Sequence, residues 1–446
     1  MTFDNNNHNN NNGDALPATD KVPVTIIGAG PVGLLLALLL ARKNIRSMVL
    51  EQSDDIDVSP RAVVHYPTVL DVFKKAGIYE HVADHGMRLW GACWRGALVD
   101  DGKGNKLLGP VIAEFAMRPN NADGAKPEGG FVSAFAQGYL TALMLEEVRK
   151  TGLVEVVFKA NFTGFQEGSA DIEIAFATPA GSQSLRSEYL VGCDGARSSV
   201  RKAASITFSG HSWPERLLAV DLEREVEVLE DLPAYYKVDR RYWGVIVPLR
   251  KVVAGEPGLW RFAMAIPDQS LTDEEVVDDQ FVEELLSHYI DGPRPSKHKV
   301  LRKRAYRTQQ LLASTMNRGR VLLAGDAAHL NNPIGGLGLA TGLLDVDILH
   351  EALNLILNHG YHDPQNLLAE YSAARRSVFA NLINPTTTAN KLRLQESEPE
   401  DAAREDWYFR ALRRKDPQEI GNMGKSFMQA WTTDINTLTK NVQPAK

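Results

Sequence analysis

The run from Val24 to Ala41, VTIIGAGPVGLLLALLLA, holds eighteen residues and no charge. It reaches the lower length limit for a lipid span, and whatever fold the chain adopts must bury it. Gly28, Gly30, Pro31 and Gly33 interrupt it, and these residues weaken a continuous helix. The run divides better into three pieces. VPVTII is a buried strand, GAGPVG a turn, and LLLALLLARKN a helix with Arg42 and Lys43 at the negative end of its dipole. IRSMVLE follows as a second strand that ends in Glu51.

Strand, G-x-G-x-x-G, helix, strand and terminal acid together make the dinucleotide-binding βαβ pattern. Gly28 makes the tight turn, Gly30 lets the backbone approach a pyrophosphate, and Gly33 lets helix and strand pack closely. Glu51 is placed to bind ribose hydroxyls. The helix N-terminus suits the phosphates. FAD and NAD both fit this half of a site.

The 446 residues are 44% hydrophobic and 24% charged, in the range of a soluble globular protein of two or three domains. Net charge is −7, with no basic block, so neither nucleic acid nor an anionic membrane is an expected partner. Cys93 and Cys193 stand alone without a C-x-x-C. No disulfide framework follows, and a reducing, cytoplasmic setting is expected. MTFDNNNHNNNNGD lacks the basic-then-apolar order of a secretory signal. Residues 1–20 are Asn-rich with little to bury, and read as a disordered tail. No Cys/His spacing suggests a metal, and no serine elbow suggests a hydrolase.

Two later segments complete the pattern. GRVLLAGDAAHLNNPIGGLGLATG brings Asp326 to the end of a buried strand, then a Pro/Gly loop containing Gly336, Gly338 and Leu339 that feeds a helix. YLVGCDGARSSVRKAA brings Asp194-Gly195 to a strand end before a short helix that Ser198 or Ser199 can cap. The first resembles the G-D motif of FAD-dependent hydroxylases, and the second their D-G motif.

In this order the three motifs resemble the class A, single-component flavoprotein monooxygenases with the para-hydroxybenzoate hydroxylase-like fold, over roughly residues 22–385. Segments such as SWPERLLAVDL resemble strands of fungal members. The resemblance implies an α/β chain: a Rossmann-like FAD-binding domain, an inserted antiparallel β-sheet substrate domain and a helical C-terminal segment. The expected cofactor domain comprises 21–90, 131–204 and 306–385, with a substrate-side insertion at 91–130. The substrate sheet is expected at 205–305 and the helical segment at 386–446. This last segment closes over the cofactor domain or mediates association, for instance as a homodimer. The thioredoxin-like domain of larger relatives is not expected in these 446 residues.

The same resemblance implies non-covalent FAD. Asp326 would hold the ribityl chain, and the loop after it the flavin N1–C2=O edge. Asp194 is linked to both FAD and NADPH, Arg61 reaches the pyrophosphate, and Gln137 contacts the cofactor. One departure is GGLGLATG where the family commonly has G-G-Q-G-M/L-N. NADPH or NADH would bind transiently and reduce the flavin. O2 would then form a C4a-hydroperoxide with an electrophilic outer oxygen, which calls for an electron-rich aromatic or enol substrate.

Within the substrate sheet, Trp243, Val245 and Val247 alternate onto one face, as do Trp260, Phe262 and Met264. Such a stripe reads first as core. Arg261 falls on the other face and is a candidate anion anchor or ion-pair partner. His65, Tyr235 and Tyr236 are the acid/base candidates, and His329 is expected to shape the loop beside the flavin. WGVIVP lacks the second tryptophan of the halogenase motif. An epoxidase or Baeyer–Villiger-type oxygenase on the same fold, and a non-catalytic nucleotide-fold carrier, are the alternatives.

Overall fold

A computed structural model describes residues 21–59, 61, 63–116, 131–395 and 398–441. The expected tail at 1–20 and part of the expected insertion, 117–130, lie outside the described residues.

The uncharged run folds as strand, turn and helix. Val22–Ile27 is the strand, and Pro31–Arg42 the helix, with Pro31 in its first turn and every residue from Gly33 to Ala41 buried. Proline suits that position because its missing N–H would have no helical partner there. The helix stops before Asn44, which takes the left-handed conformation (φ 58°) that asparagine tolerates better than most residues. Among the described residues, no helix is long and apolar enough to cross a membrane.

Val22–Ile27 lies between two parallel partners, Ser47–Leu50 on one side and the end of Gly181–Gly192 on the other. Val154–Val157 extends this parallel layer beyond Ser47–Leu50, and Val321–Leu323 extends it beyond Leu190–Gly192. The helix Leu337–His359 packs against Pro31–Arg42. Glycine turn, Asp194 and Asp326 therefore all sit at carboxyl ends of neighbouring parallel strands, where open α/β sheets bind ligands.

A second sheet has eight strands, ordered His329–Leu330, Lys299–Ala313, Phe208–Glu225, Pro257–Ala265, Gly244–Pro248, Tyr235–Lys237, Gly91–Arg95 and Val111–Ala116. All its pairings are antiparallel except Tyr235–Lys237 against Gly91–Arg95. The sheet recruits strands from outside 205–305, and Lys299–Ala313 runs through residue 305 without a break. Trp260, Phe262 and Met264 point away from the cofactor domain into a core with Val282, Leu285 and Leu286 of the helix Asp279–Ser287. Alternation turns Arg261 and Ala263 to the opposite face, onto the cavity described below.

The C-terminal segment is helical: Asn384–Gln395, Pro399–Glu405, Trp407–Arg413, Pro417–Trp431 and Ile435–Asn441. Asp406 and Asp416 cap two of these helices by accepting backbone N–H bonds. The segment covers both layers: Phe409 and Leu412 pack on the second sheet beside Trp94, and Trp431 is fully buried in the core of the first.

Candidate active site

A cavity of about 2880 Å³ separates the parallel sheet from the roof made by the second sheet and the C-terminal helices. Its floor begins at the glycine turn. Gly28 has φ +107°, and a methyl group there would lie 2.6 Å from the Cys193 carbonyl oxygen. A methyl group on Gly33 would lie 2.1 Å from the Gly28 carbonyl oxygen. Gly30 has nothing within 4 Å of that position and opens onto the cavity. Turn and cavity thus leave one face of the backbone free while packing the others.

Glu51 stands at the end of the second strand. Its Oε2 accepts the Ala29 N–H at 2.8 Å and its Oε1 the Ser53 N–H at 2.9 Å, so the carboxylate also braces the turn. Asp194 Oδ2 accepts from Ser199 N, Ser199 Oγ and Val200 N at 2.7, 2.9 and 3.1 Å. Asp194 Oδ1 is buried without a hydrogen-bond partner among the described residues. Such an acceptor is costly unless a ligand or water satisfies it. Ser198 is the N-cap of the following helix, through Arg201 N. The Arg201 guanidinium then bonds the Ala327 and Ala196 carbonyls, tying the D-G turn to the G-D turn.

Asp326 is exposed to the cavity, between the buried residues Gly325 and Ala327. The surrounding protein pushes its carboxyl above the ordinary range, against the opposing pull of His329 and Arg61. Gly335 (φ +107°) and Gly336 (φ +65°) make a left-handed bend, and Gly336 is the N-cap of Leu337–His359, with no side-chain capping bond. The first N–H groups of that helix, around Gly338 and Leu339, have no helical acceptor and adjoin the cavity. In GGLGL, Leu337 is buried and Leu339 half-buried, and both border the cavity.

One cavity therefore gathers Gly28, Gly30, Glu51, Arg61, Gln137, Asp194, Asp326, Gly336, Gly338 and Leu339, with Gly33 packed beneath the turn. Arg61 is ion-paired to Asp57 at 2.6 Å. The uncapped helix end, the orphaned Asp194 oxygen and the cradle at Gly30 suit a long ligand with a diphosphate at one end and a flat polar ring at the other.

The family model described as an FAD binding domain matches residues 21–386. The chain belongs to this family of class A flavoprotein monooxygenases. Para-nitrophenol 4-monooxygenase of Pseudomonas sp. (strain WBC-3) is 33% identical over 388 residues, 87% of this chain and 91% of the relative. 6-hydroxy-3-succinoylpyridine 3-monooxygenase HspB of Pseudomonas putida (strain DSM 28022 / S16) is 28% identical, covering 87% and 92% respectively. The crystal structure of p-nitrophenol 4-monooxygenase PnpA from Pseudomonas putida DLL-E4 superposes with a TM-score of 0.81 at 31% identity, over 93% of this chain and 100% of that one. Aklavinone-11 hydroxylase, solved with FAD and aklavinone, shares the fold at TM-score 0.71 and 23% identity, over 86% of this chain and 71% of that one. FAD is the cofactor of this monooxygenase.

The candidates for chemistry divide by face. Tyr236 looks into the cavity and stacks on Trp94 (centroids 5.3 Å apart). Tyr235, one residue earlier, is turned to the far side, where its hydroxyl meets the Tyr289 carbonyl at 3.4 Å. Arg261 borders the cavity but is held by Asp221 through two bonds of 2.7 and 2.9 Å, and it also bonds the Arg61 carbonyl. It ties the roof to the loop before the second motif. His65 does not line the cavity. Its Nε2–H donates to the Phe135 carbonyl at 2.8 Å, and its ring sits edge-on to Phe73. An imidazole so enclosed has no path to a substrate proton.

Burial lowers the His65 pKa from 6.5 to about 4, so the folded protein holds it neutral. The associated stability is fully present above pH 6.5 and is lost as pH falls toward 4, because the unfolded chain binds the proton first. Between pH 7 and pH 5 the wild type should lose about 2 kcal/mol more unfolding free energy in urea than a His65→Gln variant. Equal losses would show that His65 titrates normally in the fold.

Tyr66, Asn390, Arg393 and Tyr408 are among the cavity residues that sequence reasoning missed. The Tyr66 hydroxyl bonds the Gly335 carbonyl of the flavin-side loop, and its position one residue after His65 was the only available signal. Asn390, Arg393 and Tyr408 come from the C-terminal helices, whose charged residues read as solvated faces.

Proposed function

We propose that this enzyme uses NAD(P)H and O2 to hydroxylate a phenolic or comparably electron-rich aromatic compound. The observation that carries the reading is the composition of this cavity. Asp326 and the Gly335–Leu339 loop stand at its cofactor side, and Trp94, Phe115, Tyr236, Val245 and Tyr408 form an apolar, largely aromatic wall beyond them. When bound and reduced by a nicotinamide, FAD supplies the activation of O2. The chain supplies placement and dryness. The glycine turn would hold the diphosphate, Glu51 the ribose and Asp326 the ribityl chain, and the free N–H groups at the Leu337–His359 N-terminus would face the ring and favour negative charge there. The aromatic wall positions a flat substrate and keeps water from the reacting atoms. The names of the relatives, which act on para-nitrophenol and on a hydroxylated pyridine, support a small ring carrying a hydroxyl group.

The test is a panel of substituted phenols and other aromatic compounds added to the FAD-loaded enzyme with NADPH or NADH. A substrate should accelerate nicotinamide oxidation and yield a product heavier by one oxygen atom, less any substituent displaced. If every compound leaves the rate and its own mass unchanged, the reading fails.

A further inference from the structure

The loop that leads into the helix Leu337–His359 is held from outside at both ends. It runs from Asn332 to Gly336 and ends in two left-handed glycines, Gly335 and Gly336. Glycine takes up either hand readily, so the loop's own sequence does not fix where the helix begins. At the entry, Gln310 Oε1 accepts the Asn332 N–H at 2.5 Å and the Asn332 Nδ2–H at 3.2 Å. On its other side, Gln310 Nε2 donates to Asn384 Oδ1 at 2.6 Å and Thr387 Oγ1 at 3.2 Å. A main-chain N–H can only donate, so the Gln310 amide has one orientation here. At the exit, the Tyr66 hydroxyl donates to the Gly335 carbonyl. Burial raises the Tyr66 phenol well above its ordinary value and keeps it a donor. Inside the loop, Asn332 Oδ1 accepts the Ile334 N–H and the Pro333 carbonyl accepts the Gly336 N–H, both at 3.0 Å.

We propose that Gln310 and Tyr66 are positioning residues that hold the free N–H groups around Gly338 and Leu339 against the flavin ring and thereby set its reduction potential. This rests on the placement of that loop at the flavin side of the cavity in the functional reading above. It does not depend on which compound is hydroxylated.

Both residues belong to firmly packed elements. Gln310 is 3% exposed on the roof strand Lys299–Ala313, and its amide reaches the start of the helix Asn384–Gln395. Tyr66 is the N-cap of the helix Pro67–Ala76, in which Val69, Leu70 and Phe73 are buried, and its ring meets Trp431 edge-on at 5.3 Å between centroids. The loop is therefore tied to the roof, to the C-terminal helices and to the cofactor domain at once. Little room is left around it. A Cβ on Gly335 would stand 3.0 Å from Asn390 Nδ2, and one on Gly336 would stand 3.4 Å from Val64 Cβ.

Reduction brings negative charge to the ring, and free N–H groups at a helix N-terminus favour that charge. Hydrogen bonds weaken steeply with poor alignment. A loop released at either end should therefore lose more of its hold on reduced FAD than on oxidised FAD. Gln310 is the sharper probe, because it is buried behind the cavity wall and acts on the flavin only through the loop.

Spectroelectrochemical titration of the FAD-loaded protein, read per bound flavin, tests this in wild type, Gln310→Leu and Tyr66→Phe, beside urea unfolding of the flavin-free forms. Each variant should weaken reduced FAD about tenfold more than oxidised FAD, which lowers the two-electron potential by about 30 mV. A strut with no bearing on the ring would lower the urea midpoint and leave the potential where it is in wild type. A wild-type potential in either variant overturns the role assigned to that residue. Tyr66→Phe removes only a hydroxyl and keeps the ring beside Trp431, so the test holds even where Gln310→Leu does not fold. Leu339→Pro checks the placement of the loop itself. It deletes one free N–H group in the first helical turn, where proline is tolerated. A lowered potential in Leu339→Pro, with none in the other two variants, overturns the positioning roles and leaves the loop at the flavin. No change in any of the three overturns both.

Discussion

Asp345→Ala should destabilise the apoprotein by about 3–5 kcal/mol, the usual cost of stripping one partner from a buried ion pair. Asp345 and the Arg375 side chain are both 0% exposed, and they meet at 2.7 Å. The other Asp345 oxygen accepts His329 Nε2–H at 2.6 Å and Gly325 N–H at 3.0 Å. Burial alone would raise this carboxyl, but His329 and Arg375 outweigh it and hold the pKa low. Arg375 also reaches the Trp431 carbonyl, the Thr433 hydroxyl and the Thr341 carbonyl. One carboxylate thus joins the Asp326 turn, the helix after it and the end of the helix Pro417–Trp431. Urea unfolding of the flavin-free protein measures the loss. A double variant, Asp345→Leu with Arg375→Met, removes both charges and should recover much of that stability, since apolar pairs replace buried ion pairs at little cost. It leaves Gly325 N–H and His329 unpaired, so FAD affinity should stay low. If the single variant unfolds at the wild-type urea concentration, the pair does not hold the turn.

The reach of the sequence follows from how local each signal is. The uncharged run could be assigned because its glycines and proline break it at fixed positions, and the three motifs could be ordered along the chain. Strand alternation separated Arg261 from Trp260 and Phe262, and the structure keeps them on opposite faces. Alternation could not say which face met the cofactor domain, nor that Asp221 would lie across from Arg261. His65 and Tyr66 show the limit at its sharpest. They are adjacent, and the rotation that sends one to Phe135 and the other to Gly335 depends on pairing with a strand about seventy residues away. Arg393 and Tyr408 were hidden for a different reason. In short helices with many charges, a buried guanidinium looks like a solvated one until its partners, Asp406 and Asn390, are placed in space.

The glycine turn offers a test in which two similar changes should fail differently. Gly33→Ala places a methyl group 2.1 Å from the Gly28 carbonyl oxygen, with the Gly28 carbonyl carbon at 3.3 Å and the Ile26 side chain also at 3.3 Å. The clash is with backbone, so no rotamer change relieves it. Helix and strand must separate, in a layer where Ile26, Leu34 and Leu36 are all fully buried. Forced overpacking of this kind costs about 1–3 kcal/mol, and the displaced helix no longer presents its N–H groups to a diphosphate. Gly33→Ala should therefore lower the urea midpoint of the flavin-free protein and also abolish tight FAD binding. Gly30→Ala meets nothing within 4 Å in the protein itself. Its methyl group projects where the diphosphate must come close, so the flavin-free protein should unfold at the wild-type midpoint while FAD affinity drops by about ten- to a hundredfold, the equivalent of one lost charge-assisted hydrogen bond. Fluorescence titration of the apoprotein with FAD, beside urea unfolding, separates the two effects. A Gly30→Ala protein that binds FAD as wild type does would move the diphosphate away from this turn. A Gly33→Ala protein of unchanged stability would mean that the strand and helix here have room to spare, against the 2.1 Å approach.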